Sequence, residues 1–177
     1  RYAGKAQRAA VGQINLPDRQ WPSKLIEKAP RWLSTDGAFL RGYLALIDKV
    51  CPCVLLVHSQ GGNFGFLAAE QRPDKIKGIV AVESATAGKV ENAPKLKDVP
   101  VLMVFGDYVD QHPRWATFKK VDTEYGNAIK AAGGSVDWIN LPEIGIKGNS
   151  HMMMQDKNNE QIAEVIQKWM VTKGLSE

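Results

Sequence analysis

An α/β fold, in which a mostly parallel sheet carries helices on both faces, is predicted by three features of this 177-residue sequence. Four short runs are almost continuously apolar, the pattern of strands buried on both sides. Segments with helical periodicity separate most of them, which suits crossover connections between parallel strands. Each apolar run ends in a polar or glycine-rich stretch, and in such sheets ligands bind at the carboxyl ends of the strands.

Residues 1–35 are polar and are broken by Pro17, Pro22 and Pro30. They read as an irregular, partly helical segment that could act as a lid. Trp21 and Trp32 are its candidate substrate-pocket residues, or else surface-to-core anchors. From Ala38 to Lys49, the spacing of Phe39, Tyr43, Leu46 and Ile47 predicts an amphipathic helix. A strand follows over 53–58, then a helix that reaches Arg72 and is stopped by Pro73. Ile76–Val82 is a second strand, ending at Glu83-Ser84. Val99–Phe105 is a third, ending at Gly106-Asp107. Trp115, Phe118, Val121, Tyr125 and Ile129 mark one face of a helix over 115–132, capped by Gly133-Gly134. Ser135–Leu141 is the fourth strand. The last helix covers 159–173, with Ile162, Val165, Ile166, Trp169 and Met170 toward the core.

The bulk composition narrows the function. The net charge is +4, and the denser patch at Lys89, Lys95 and Lys97 has no aromatic interleaving. It reads as a solvated surface, so nucleic acid is not an expected partner. No apolar run approaches the ~18 residues of a membrane span. Cys51 and Cys53 are the two cysteines. Two apart in a strand they would face the same way, and a bridge between them would be strained, so they read as buried thiols. Metal spacing is missing, and no metal or cofactor is expected. The sequence starts at Arg1 without methionine or signal peptide, and its N-terminus reads as missing or processed.

Chemistry concentrates in Val57-His58-Ser59-Gln60-Gly61. A strand, a sharp turn tipped by serine and then a helix form a nucleophile elbow, usually written G-x-S-x-G. Here valine replaces the first glycine. A serine nucleophile needs a base, and the base needs an anion to orient it. His151, just before the last helix, is the candidate base. His58 adjoins the serine, and its ring is expected to leave the elbow sideways. For the acid, Glu83 ends the strand after the elbow helix. Asp107 and Asp110 follow the next strand and are the alternatives. The amide of Gln60, at the helix start, is the candidate oxyanion donor.

The stretches His58-Ser59-Gln60-Gly61-Gly62, Val82-Glu83-Ser84-Ala85, Phe105-Gly106-Asp107, Pro113-Arg114-Trp115 and Gly148–Asn159 resemble a small family of secreted or periplasmic bacterial esterases in the α/β-hydrolase superfamily. The resemblance runs from about Phe39 to Met170. It implies Ser59 as nucleophile, His151 as base and Glu83 as acid, acting on a small-molecule ester through an acyl-enzyme without a cofactor. It also implies a secreted or periplasmic location.

The α/β-hydrolase fold has further strands before the elbow strand, and this sequence offers none. The expectation is therefore the C-terminal portion of such a domain: 36–177 as core and 1–35 as lid. An N-terminal segment of the same hydrolase is the expected partner, and a homo-oligomer is left open. Two rival readings stand beside this one. A dinucleotide-binding βαβ module would use the glycine-rich turn and Glu83, but its fingerprint needs glycine where Gln60 stands. A non-catalytic hydrolase-like protein would have lost its triad, whereas all the candidates are present here.

Overall fold

The computed structural model describes residues 36–176. Its frame is a parallel sheet of four strands: β1 (Cys53–His58), β2 (Ile76–Val82), β3 (Val101–Phe105) and β4 (Val136–Asn140), side by side in chain order. The helices are α1 (Asp36–Val50), α2 (Gln60–Ala69), α3 (Pro113–Ala131) and α4 (Asn159–Thr172). Short 3₁₀ turns fill several connections.

Side chains alternate across a strand, and here both faces are covered. Ile79, Ala81, Val101, Met103 and Phe105 join Phe66, Trp115, Tyr125 and Ile129 in one core. Val80, Val82, Leu102 and Val104 join Ile162, Ile166 and Trp169 of α4 in the other. This double burial is why β2 and β3 read as continuous apolar runs.

Several expectations are corrected. α2 ends at Ala69, and Arg72, the residue ahead of Pro73, lies outside helical geometry with φ −139° and ψ 50°. β3 begins after Pro100, which has no N–H for the ladder. In α1, Ile47 is buried and Leu40, Tyr43 and Leu44 pack beside it, whereas Phe39 and Leu46 are 55% and 58% exposed. Packing against the neighbouring elements selects that face, and helical period alone does not. In α3, Asp122 is buried where periodicity points to Val121.

Cys51 and Cys53 form a disulfide. Cys51 precedes β1, so the two side chains are not set by the alternation of one strand. Their Cα atoms are 4.5 Å apart, within bridging range.

Among the described residues, β1 pairs with β2 and no other strand. Leu56 on β1 is 62% exposed.

Candidate active site

β1 ends at His58 and α2 begins at Gln60, so Ser59 alone makes the turn. Its φ of 53° and ψ of −125° lie where a residue with a side chain rarely sits. Strand and helix nearly touch at this point. A Cβ on Gly62 would overlap Ser84 Oγ, and one on Gly65 would come within 2.7 Å of Val57 Cγ1. The valine that departs from G-x-S-x-G is thus accommodated by Gly65 across the elbow. Ser59 N donates to Val82 O (3.2 Å), and Ala85 N donates to Ser59 O (2.9 Å). These bonds pin the serine to the end of β2.

Glu83 stands at that end. It also has positive φ, 40°, and is 1% exposed. Gly106 N donates to Glu83 Oε1 at 2.9 Å. A Cβ at Gly106 would crowd that oxygen, so glycine suits the position. Glu83 Oε2 lies 2.7 Å from His151 Nδ1. An ionised carboxylate accepts only, so Nδ1 carries the hydrogen and Nε2 keeps its lone pair.

His151 is buried in an irregular loop whose backbone is tied down by two aspartates. Asn149 N donates to Asp107 Oδ2 (3.0 Å). Ser150 N and Oγ donate to Asp156 at 2.7 and 2.8 Å. The imidazole lies between two rings, His58 at 4.4 Å and Trp115 at 4.2 Å between centroids. His58 Nε2 lies 2.8 Å from the His151 carbonyl oxygen, to which it donates. Burial, and then the neighbouring His151, push the His58 pKa down, which keeps its ring neutral.

The structure therefore gathers Ser59, Gln60, Glu83 and His151 at the carboxyl ends of β1 and β2. Asp107 is buried behind the base loop. The Asp110 side chain is 73% exposed and paired with Lys119. Trp21 and Trp32 lie outside the described residues. His58, Trp115 and Asp156 are site residues that the sequence reading did not assign. Trp115 sat on a helical face marked as core, and nothing in that marking separates a core aromatic from one against an active imidazole. A hollow lined by Phe105, Lys119, Thr123, Asn127, Trp138 and Asn140 contains none of the four gathered residues. Among the described residues no cluster of His, Cys, Asp and Glu could hold a metal, and no helix is long and apolar enough to cross a membrane.

The solved structure of a novel bacterial esterase superposes on this chain with a TM-score of 0.76 and 38% identity, covering 87% of this chain and 49% of that one. The chain has an α/β-hydrolase fold, with its four parallel strands and covering helices matching that structure. A probable secreted lipase, phiG, from a fungal species is 29% identical over 184 residues, 73% of this chain and 49% of the lipase. The chain thus spans about half the length of these two relatives. A further stretch of similarity, 78% identical over 38 residues, is to the 2-isopropylmalate synthase of Thermobifida fusca. It covers 21% of this chain and 6% of the synthase, too little of that enzyme to carry its activity over. No family model matches.

Proposed function

We propose that this chain carries the nucleophile, base and acid of a serine carboxylic-ester hydrolase. The observation that carries the reading is the buried Glu83–His151 hydrogen bond next to a serine in strained turn geometry. Ser59 Oγ attacks the ester carbonyl while His151 Nε2 takes its proton. Glu83 holds the imidazole and stabilises its charged form. The Gln60 amide is one of the first in α2, which have no partner within the helix, and it donates to the oxyanion. His151 then protonates the leaving alcohol. Water attacks the acyl-enzyme with the same groups in reverse order, releasing the acid. A dinucleotide-binding module would give the Glu83–His151 pair no task.

The second oxyanion donor comes from outside the described residues in this proposal. A segment outside the described residues covers β1 in the same proposal. Leu56 on β1 and Phe39, Leu46 and Val50 on α1 are exposed, and an apolar strand edge invites pairing. A strand-bearing segment of the same hydrolase is the proposed partner, and sedimentation of an active, unassisted monomer would remove it. Secretion is proposed from the likeness to a secreted lipase.

Labelling with a fluorophosphonate followed by intact and peptide mass spectrometry tests the chemistry. One adduct, located on Ser59 and abolished in Ser59→Ala, is the expected result. Folded protein that takes no adduct would overturn the reading.

A further inference from the structure

His58 immediately precedes Ser59 and is the last residue of β1. Its ring stacks on the His151 ring, and its Nε2 is 2.8 Å from the His151 carbonyl oxygen, across 93 residues of chain. A carbonyl can only accept, so His58 Nε2 carries the hydrogen and its Nδ1 does not. The neutral His151 ring has the opposite arrangement, with hydrogen on Nδ1 facing Glu83 and none on Nε2. Elsewhere on the base loop, Asp107 accepts from Asn149 N, and Asp156 accepts from Asn149 Nδ2 and from Ser150 N and Oγ. The His58 bond reaches the backbone of the base itself, and it does so from the strand that delivers the nucleophile.

We propose that His58 is a positioning residue that locks the base loop to the nucleophile strand, so that two stacked histidines hold opposite tautomers. This rests on the proposed serine chemistry. Three consequences follow from the geometry. The Nε2 hydrogen bond sets how far His151 stands from the elbow. Stacking between His58 and Trp115 limits rotation of the imidazole about the Glu83 bond. A neutral His58 does not oppose the positive charge that forms on His151.

Imidazole ¹⁵N–¹H long-range NMR on the intact chain tests the geometry without needing turnover. The expected spectrum shows His58 protonated on Nε2 and His151 on Nδ1 at neutral pH. His58→Phe keeps a ring and removes the donor, whereas His58→Gln keeps an N–H near the same place. His58→Phe should shift the His151 ring signals, slow fluorophosphonate labelling of Ser59 and lower kcat by about a hundredfold, the scale of a ~1 Å misplacement. KM should hardly change, and His58→Gln should recover most of the loss. The same tautomer on both rings, or His58→Phe with unchanged His151 signals and labelling rate, would overturn the proposal. Loss of labelling in Ser59→Ala alongside a fully active His58→Phe would sink this inference alone. Labelling that persists in Ser59→Ala would sink the chemistry beneath it.

Discussion

Glu83 and Asp122 are both acids at 1% exposure, and the structure treats them in opposite ways. Glu83 accepts the Gly106 amide and faces His151 Nδ1. Neither carboxylate oxygen of Asp122 has a hydrogen-bond partner among the described residues. Burial pushes the Asp122 pKa up to about 8. A buried carboxylate is costly as an anion unless donors replace water. Glu83 is supplied with them at a strand end where ligands bind, whereas Asp122 sits inside α3 and holds its proton. Burial of an acid is therefore a poor guide to function, and the partner set is a better one.

The largest effect expected from disturbing this contrast is at Glu83. Glu83→Gln should lower kcat by about 10³- to 10⁴-fold, as when a triad acid loses its charge and the wrong histidine tautomer results. Steady-state kinetics against a chromogenic ester would show it, and a loss under tenfold would remove Glu83 from the acid role.

Asp122 should instead govern stability against pH. Its folded pKa is raised from 3.8 to about 8, so the native state holds the proton more tightly than the unfolded chain. That contribution is complete below the unfolded value and is lost as pH rises through about 8. Across the window, stability should fall by up to about 1.4 kcal/mol per pH unit. Denaturant melts of Asp122→Asn at several pH values should show a flattened slope, and an unchanged slope would contradict the assignment.

Glu70 sharpens the comparison as a third buried acid. It accepts Lys89 N, Asn92 Nδ2 and Tyr125 Oη. Glu70→Gln sets an amide donor against one of these donors and should cost about 1–3 kcal/mol, with kcat unchanged. A chemical denaturation midpoint reads this directly. Asp110→Asn should have the smallest effect. Its exposed pair with Lys119 is worth under about 1 kcal/mol, and esterase activity should match the parent.

Much of the frame was legible because β2 and β3 are buried on both faces, and such strands announce themselves in composition. The Ile76–Val82 boundaries agree with the reading of the sequence. The candidates Ser59, Gln60 and His151 were read from motif and chain order, whereas the acid stayed open among Glu83, Asp107 and Asp110 until the resemblance pointed to Glu83, the one that faces His151 in the structure. What stayed hidden depends on tertiary partners. The buried face of α1 is chosen by its neighbours, and the bridge between Cys51 and Cys53 depends on where the strand starts. His58 was expected to point away from the elbow. Its contact with His151 spans 93 residues and leaves no local trace in the sequence.

Among the described residues, three other than glycine have positive φ: Ser59, Glu83 and Tyr108, all following the carboxyl ends of adjacent strands. For an L-residue each such conformation costs on the order of 1–3 kcal/mol. At Ser59 and Glu83 the side chain is committed to the site, so that cost cannot be relieved by glycine without removing the functional group. Tyr108 is 45% exposed, and its side chain is not among the groups gathered around Ser59. An engineer seeking a hardier protein therefore has latitude at one of these three positions and none at the other two.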